Sequence, residues 1–260
     1  MTKQQWDALS ALVADRMKAA TRNFVTPVIH EALNEPTHIG SATYVELPRQ
    51  VGGTTLITCE HITRYQDQKH LPFGSNSPVN LSGTTCSDRE PLDVGTIKLN
   101  DPTWQLQKEQ AAMVGWSRFS QNHSPVPDEL LFFYGLSGEN TYSGYGDFHK
   151  IMVGYCSQEK RGTGDSEIFE IFWEPENTSI TPGTSLEIYN KTKYSNAGGY
   201  SGSLVWDTRF VQKGCDINSW SPSDAVVTGL LRRWDTATRT LLVWRVEHLR
   251  KWLAGRPTWA

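Results

Sequence analysis

From about residue 38 onward the sequence is a succession of short apolar runs, and this pattern constrains the fold more than any other feature. The runs are rich in β-branched, aliphatic and aromatic residues, and clusters of Gly, Pro, Asn and Ser separate them. Such a pattern predicts a mainly-β protein, built as barrels or a sandwich. The predicted strands are GSATYVEL, TTLITCEH, VGTIKL, ELLFFYGL, HKIMVGYC, SEIFEIFWE, TSLEIYN, GSLVW, AVVTGLL and TLLVWRV.

Helical spacing is restricted to the two ends of the chain. Within residues 1–30 apolar residues recur every three or four positions, and Thr2 with Gln5 fits a capping box. Pro27 would close this segment. A second helix is predicted at about 243–254. We expect the N-terminal helix to pack on the body of the protein; docking of a regulatory partner is the alternative.

Composition and charge exclude several classes of partner. The 260 residues carry a net charge of −3, so the chain lacks the basic footprint of a nucleic-acid-binding protein. No apolar run reaches the roughly 18 residues that a membrane span needs. Asp7 and Asp15 fall where a signal peptide would require an apolar core. We therefore expect a soluble, cytoplasmic protein with neither nucleic acid nor membrane as a partner.

The four cysteines show no metal-binding pattern. They are far apart, with no C-x-x-C pair and no histidine at zinc-ligand spacing. An even number would allow two disulfides, but without a signal peptide we expect free buried thiols. No metal and no cofactor are predicted. The cysteines are Cys59, Cys86, Cys156 and Cys215.

Ser201 lies in the small-residue run SNAGGYSGSLV, which suits either a surface turn or a nucleophile whose backbone approaches a substrate. A serine hydroxyl attacks at neutral pH only with a base, a group that orients the base, and donors for the developing oxyanion. His61 ends one apolar run and Asp93 begins another, and both precede Ser201. The three residues are therefore candidates for one catalytic site.

At these three positions the sequence resembles the trypsin/chymotrypsin-like serine peptidases. The family's Leu-Thr-Ala-Ala-His pattern is similar to ITCEH at 57–61, and the run that begins with its aspartate is similar to DVGTIKL at 93–99. Its Gly-Asp-Ser-Gly-Gly is comparable to GYSGS at 199–203, and the chain order His, Asp, Ser agrees. The resemblance extends from residue 38 to about 254.

The resemblance implies a peptidase domain at 31–260 with two six-stranded antiparallel β-barrels. The first barrel would span about 38–118 and carry His61 and Asp93. The second would span about 128–238 and carry Ser201. The site would lie between the barrels, and the N-terminal and C-terminal helices would be additions to them.

It also implies a serine endopeptidase acting on protein or peptide substrates through an acyl-enzyme intermediate. Ser201 would attack the scissile carbonyl, His61 would take and return the proton, and Asp93 would orient the imidazole. The backbone N–H groups of Gly199 and Ser201 would form the oxyanion hole. A glycine at 199 can turn its amide inward without a Cβ penalty.

Substrate selection is expected from two segments. Ser195 occupies the position that floors the primary pocket in the family, so a preference for Lys or Arg has no evident basis. Arg232 and Arg233 would lie on or near the other pocket wall, where they could favour an acidic side chain or simply form a solvated strand end. The predicted substrate-binding residues are Ser195, Asn196, Ala197, Gly198, Arg232 and Arg233.

The sequence departs from the family at three places. Tyr200 replaces the aspartate that pairs with a freed N-terminus in trypsin-like zymogens, so activation by N-terminal cleavage is not expected. Ser203 replaces the second glycine after the nucleophile, and Ile62 replaces a cysteine that forms a disulfide. These departures predict a disulfide-free intracellular relative of bacterial type. A protease inside the cell requires a gate, for which the N-terminal helix is the candidate.

Two other functions fit some of the same residues. Ser201, Asp224 and His248 occur in the Ser–Asp–His order of an α/β-hydrolase esterase, although Ser203 breaks the G-x-S-x-G elbow. The second alternative is a catalytically inactive, peptidase-like binding module, which Tyr200 and Ser203 leave open.

Overall fold

The computed structural model describes residues 1–32, 35–48, 54–75, 77–100, 104, 111–144, 147–162, 165–177 and 181–255. Helix α1 (Lys3–Thr21) begins at the predicted capping box. The Thr2 hydroxyl accepts the Gln5 N–H, and the Gln5 side chain accepts the Thr2 N–H. The helix ends before Pro27, which lies inside a strand, because the β-branched residues around Pro27 favour an extended backbone.

Eight strands form the first sheet. Their order is β5-β4-β1-β2-β3-β7-β6, and β8 pairs with β2. All pairs are antiparallel except β2 with β8. A short helix, α2 (Glu60–Thr63), follows β3 directly. The strands are β1 (Val25–Ala32), β2 (Glu35–Glu46), β3 (Thr54–Thr58), β4 (Gln68–His70), β5 (Val79–Asn80), β6 (Thr85–Asp88), β7 (Val94–Lys98) and β8 (Val114–Gly115).

The second sheet has seven antiparallel strands in the order β12-β9-β15-β16-β17-β14-β13. A separate hairpin, β10 with β11, lies between β9 and β12 in the chain. Helix α4 (Val246–Ala254) follows β17 without a break, which confirms the predicted C-terminal helix. The strands are β9 (Leu131–Gly135), β10 (Thr141–Gly144), β11 (Asp147–Lys150), β12 (Val153–Ser157), β13 (Glu159–Lys160), β14 (Ile168–Phe172), β15 (Leu204–Asp207), β16 (Val226–Asp235) and β17 (Thr240–Arg245).

One predicted strand is wrong, because TSLEIYN forms helix α3 (Leu186–Lys191). The Ser185 hydroxyl caps its start by accepting the Ile188 N–H. Glu187 and Lys191 pair one turn apart on the exposed surface. A cap and an i,i+4 ion pair favour a short helix over a strand whose apolar residues would have nothing to pack against.

The main hydrophobic core joins both sheets and both terminal helices. Val13 and Met17 of α1 are fully buried, and so are Ile57 of the first sheet and Phe132 of the second. Leu253 of α4 packs in the same cluster. A shared core of this kind fixes the two sheets against each other, and with them the residues that each sheet carries to their interface.

The structure confirms the predicted mainly-β class with two curled, chiefly antiparallel sheets, although these contain eight and seven strands instead of six each. The four cysteines are free, but only Cys59 is buried, whereas Cys86, Cys156 and Cys215 are partly exposed, so the predicted burial holds for one of the four. None of the helices within the described ranges is long and apolar enough to cross a membrane.

Candidate active site

His61 is positioned by the end of β3. This strand lies between β2 and β7, and its last residue, Thr58, pairs with Gly95 near the start of β7. His61 follows in the first turn of α2, with its side chain 37% exposed. Because β7 begins just after Asp93, the antiparallel pairing brings this carboxylate to the His61 ring.

Asp93 is buried and accepts hydrogen bonds only from His61 among the described residues. The His61 backbone N–H lies 3.0 Å from Oδ1, and the ring Nδ1 lies 3.0 Å from Oδ1 and 2.9 Å from Oδ2. Burial opposes ionisation, but the bonds from the His61 ring and backbone outweigh it and hold the pKa of Asp93 below its usual value. The ionised carboxylate therefore fixes Nδ1 as the protonated ring nitrogen, which leaves Nε2 free to accept a proton.

Ser201 lies in the loop before β15, where backbone contacts from both sheets hold it. Its carbonyl accepts the Ser41 N–H from β2 at 2.9 Å, and the next amide, Gly202, donates to the Leu231 carbonyl of β16 at 2.8 Å. Gly202 has φ +89°, and a Cβ there would overlap the Ser41 carbonyl and the Thr58 hydroxyl. The loop thus packs against the end of β3, the strand that leads to His61. The Ser201 side chain is partly exposed.

Two amides that flank the Ser201 side chain are free to bind an anion. The Gly198 carbonyl accepts the Gly138 N–H at 2.8 Å, so the Gly199 N–H of the same trans peptide points the opposite way. Gly199 has φ +105°, where glycine meets no Cβ penalty. Within the described parts of the chain, neither the Gly199 amide nor the Ser201 amide has an acceptor. The arrangement suits an oxyanion hole.

His38 supports the back of this glycine loop and is a residue that sequence reasoning missed. A Cβ on Gly199 would lie 2.9 Å from His38 Nδ1 and 2.9 Å from the Gly138 nitrogen. Burial lowers the pKa of His38 to about 4, so the ring is neutral at physiological pH. Tyr200 anchors the other side, fully buried and packed against the rings of Phe133 and Trp173.

The segment predicted to floor a substrate pocket is held by Glu139, which the sequence did not indicate. The Ser195 hydroxyl donates to Glu139 Oε2 at 2.6 Å, and the Asn196 N–H donates to Oε1 at 2.8 Å. The Gly198 N–H in turn donates to Asn196 Oδ1 at 2.6 Å. Ala197 is buried, while Ser195, Asn196 and Gly198 are exposed.

Arg232 and Arg233 both pair with Glu90, in the loop that leads to Asp93. Arg232 Nε also lies 3.8 Å from Asp93 Oδ2. The Arg232 side chain is 11% exposed, whereas that of Arg233 is 50% exposed. An acidic substrate side chain would therefore compete with Glu90 for these two groups.

Asp224 and His248, the members of the alternative triad, contact residues other than Ser201 and each other. Asp224 accepts the Ser221 N–H and pairs with Lys213. His248 Nε2 contacts the Ser166 carbonyl. The α/β architecture that such a triad needs is replaced by the two β-sheets.

Cys59, His61 and Asp93 present ligand atoms within 4.8 Å of one another, so this group of side chains is a candidate to hold a metal ion. The donor set fits a metal poorly. His61 Nδ1 is engaged by Asp93, and burial raises the pKa of the Cys59 thiol, whose sulfur lies 3.4 Å from the Leu231 carbonyl. A thiol that stays protonated is a poor metal ligand.

Comparisons with known proteins concern mainly the fold. No family model matches the chain. A curated isomaltosyltransferase from Sporosarcina globispora is 26% identical in an alignment of 132 residues that covers 46% of this chain and 12% of that protein. The chain therefore spans about an eighth of this curated relative's length, too little to carry over its activity.

Solved protease structures share the architecture over nearly the whole chain. The active form of the Rv3671c protease from M. tuberculosis has a TM-score of 0.52 and 14% identity, covering 94% of this chain and 85% of that one. A serine endoprotease from Yersinia pestis has a TM-score of 0.55 and 10% identity, covering 93% of this chain and 66% of that one. At such identities the likeness is one of fold, and the chain has the chymotrypsin-like fold of serine proteases.

Proposed function

We propose that this protein is a serine endopeptidase that cleaves protein substrates with Ser201, His61 and Asp93. The observation that carries the proposal is the buried Asp93 carboxylate, bonded to both the ring and the backbone of His61. Ser201 lies in a glycine loop with two amides that lack acceptors in the described structure. A nucleophile, a base, an orienting carboxylate and oxyanion donors are the parts that acyl transfer needs.

The proposed reaction begins with attack of Ser201 Oγ on the scissile carbonyl, while His61 Nε2 takes the hydroxyl proton. Asp93 stabilises the imidazolium, and the Gly199 and Ser201 amides bind the carbonyl oxygen as it becomes anionic. His61 then protonates the leaving amine, which leaves an acyl group on Ser201. Water, deprotonated by His61, hydrolyses this acyl-enzyme and restores the hydroxyl.

A fluorophosphonate probe tests the nucleophile directly, because it phosphonylates an activated serine. We expect it to modify Ser201, as mapped by mass spectrometry, and Ser201→Ala to abolish labelling and proteolysis. Ser137 offers a matched control, since it also stands in a Gly-x-Ser-Gly string but is fully buried and accepts from Asn140 Nδ2 at 2.6 Å. Ser137→Ala should keep the labelling, and modification of any serine other than Ser201 would contradict the proposal.

The base and its orienting group are tested in the same assay. His61→Ala and Asp93→Asn should each slow turnover by about 10³–10⁴-fold, as loss of a base or of its tautomer does. Asp224→Asn and His248→Ala are the controls and should leave turnover nearly unchanged. A large loss of turnover in the His248→Ala variant would instead support the α/β-hydrolase alternative.

A non-catalytic binding module is the second candidate. It is favoured by one observation, that the Ser201 hydroxyl makes no hydrogen bond to His61 in the described structure. Catalytic hydrogen bonds are often long without substrate, so we prefer the enzyme. A folded protein that neither reacts with the fluorophosphonate nor cleaves a denatured protein mixture would establish the module.

Substrate selection, cytoplasmic location and a gate are part of the same proposal. Residues 195–198, Arg232 and the half-exposed Arg233 are the proposed substrate-binding groups, with small, apolar or acidic side chains preferred over Lys and Arg. Arg233→Glu should lower cleavage at acidic residues more than at apolar ones in a peptide library, and dominant cleavage after Lys or Arg would contradict the assignment. For α1 we propose packing on the body of the protein, with a gate through which a regulatory partner would act as the alternative.

A further inference from the structure

Arg232 occupies an irregular position in β16. The register of β16 against β17 shifts between Leu231 and Arg233, so Arg232 is the extra residue of a bulge. Consecutive residues of a regular strand point to opposite faces, but a bulge changes the direction of its side chain. The bulge therefore allows the Arg232 and Arg233 side chains to reach the same carboxylate, that of Glu90, across the interface between the two sheets.

The Arg232 guanidinium is held on several sides in a confined space. One terminal nitrogen pairs with Glu90, and the Trp244 ring lies 5.6 Å below its central carbon. The remaining Nε is buried, has no hydrogen-bond partner among the described residues, and lies 3.8 Å from Asp93 Oδ2. A buried N–H without a partner is costly unless a nearby opposite charge compensates it, and Asp93 supplies that charge.

We propose that Arg232 is a positioning residue for the His61–Asp93 pair: it bridges Asp93 and Glu90 from the second sheet and limits how strongly Asp93 stabilises the His61 imidazolium. The proposal rests on the proposed function, because positioning matters only if the pair is catalytic. It assigns to Arg232 a task in addition to the proposed substrate binding. Arg233 is more exposed, and its charge also lowers the pKa of Asp93.

The charge of Arg232 acts on His61 in one direction. A cation beside Asp93 weakens the attraction between this carboxylate and the imidazolium, and it also repels the imidazolium directly. Both effects favour neutral His61, the form that can accept the Ser201 proton. In the described structure the other charged or titratable groups near Asp93 are Cys59 at the end of β3, Glu60 in α2 with its partners Arg64 and Arg89, the Glu90 partner of Arg232, and Arg233 on β16.

The test is an NMR titration of the His61 ring, assigned by the loss of its signal in His61→Asn. Arg232→Gln should raise the pH midpoint of this titration by about half a unit, and Arg232→Lys, which keeps the charge, should restore most of it. Arg239→Gln is the matched control, because Arg239 forms an exposed ion pair with Glu176 on the same sheet. It should leave the midpoint unchanged.

Glu90→Gln provides a second variant should Arg232→Gln not fold. Removing the Glu90 charge frees the guanidinium for Asp93, so the midpoint should fall, opposite to the change in Arg232→Gln. An unchanged midpoint in a folded Arg232→Gln or Glu90→Gln protein would overturn the proposal. The titration does not depend on activity, so the two proposals can fail separately. If the midpoint shifts but fluorophosphonate does not modify Ser201, the proposed function is rejected, whereas the electrostatic effect of Arg232 on His61 is retained.

Discussion

At the scale of single residues, the chemistry of the site depends on which charges are buried and which bonds compensate them. Asp93 and Asp207 show the contrast. Asp93 receives two hydrogen-bond donors from His61 and stays ionised, whereas Asp207, at the end of β15, receives among the described residues only the Arg209 N–H at 2.9 Å. Burial raises the pKa of Asp207 to about 6. A carboxylate is therefore tolerated in this interior only where enough donors meet it.

Asp207 makes the stability of the protein depend on pH. Its pKa is higher in the folded state than in the unfolded chain, so its contribution is present below about pH 4 and is lost as pH rises through 6. Asp207→Asn keeps the acceptor for Arg209 but removes the charge. We expect this variant to be more stable than the wild type by about 1–2 kcal/mol at pH 7.5.

Urea unfolding at several pH values measures this difference. The advantage of Asp207→Asn should grow between pH 5 and 7 and be small at pH 4, where the wild-type carboxyl is protonated. Asp216→Asn is the control, because Asp216 is exposed and hydrogen bonds with the Asn218 N–H lower its pKa. An equal or larger advantage at pH 4 would show that burial of the Asp207 charge is not the cause.

The sequence indicated the candidate site more fully than its surroundings. His61, Asp93 and Ser201 stand in motifs a few residues long, which are readable without any knowledge of contacts. The contacts of Glu90 with Arg232 and of Glu139 with Ser195 join residues far apart in the chain. No short sequence motif indicates either pair, and no sequence pattern around Arg232 indicates the bulge that directs its side chain. Such partners follow only from the folded arrangement of the sheets.

At the scale of elements, strand prediction succeeded where apolar residues alternate or cluster against a core. It failed for α3, where a Ser cap and an i,i+4 ion pair outweigh the β-branched residues, and for β1, which was assigned to the N-terminal helical segment. Val28 and Ile29 of β1 are fully buried, but Pro27 between β-branched neighbours indicated a helix end instead of a strand. Proline is tolerated there because the pairing of β1 with β4 begins only at Val28, so the missing N–H of Pro27 removes no bond of that ladder.

The contact between the Ser201 loop and the ends of β2 and β3 is the element-scale feature that most constrains the site. Gly202→Ala places a methyl group against the Ser41 carbonyl and the Thr58 hydroxyl, and the backbone also has a positive φ. We expect a loss of about 2–4 kcal/mol of stability and a large decrease in the fluorophosphonate labelling rate of Ser201.

Gly214→Ala separates steric overlap from backbone strain. Gly214 also has a positive φ, +80°, but no atom lies within 4 Å of the added Cβ. It should therefore cost only about 1 kcal/mol and leave labelling unchanged. Urea unfolding measures the loss of stability, and the fluorophosphonate reaction measures the labelling rate of Ser201. An equal loss of stability in Gly202→Ala and Gly214→Ala would mean that the Ser201 loop is not in close contact with β2 and β3.

At the scale of the whole molecule, the fold brings the two halves of the candidate site together by sharing one core. His61 and Asp93 lie at the ends of strands of the first sheet, and Ser201 lies in the loop before β15 of the second, so their relative position depends on the packing between the sheets. Helix α1 takes part in that packing through Val13 and Met17, and the Arg16 guanidinium donates to the Ile217 carbonyl at 2.7 Å. This supports α1 as a structural element, in line with the expectation that it packs on the body.

The Met17→Ala variant distinguishes a structural role of α1 from a role as a removable gate. Met17→Ala deletes a fully buried side chain from the shared core and should lower the free energy of unfolding by about 2–4 kcal/mol. Leu12→Ala, on the same helix but at a side chain that is 36% exposed, should cost less than about 1 kcal/mol. Both variants should label at the wild-type rate wherever they are folded, because α1 contributes no residue to the site. A Met17→Ala protein of unchanged stability that labels several-fold faster than the wild type would show instead that α1 restrains the enzyme, which would make it the gate.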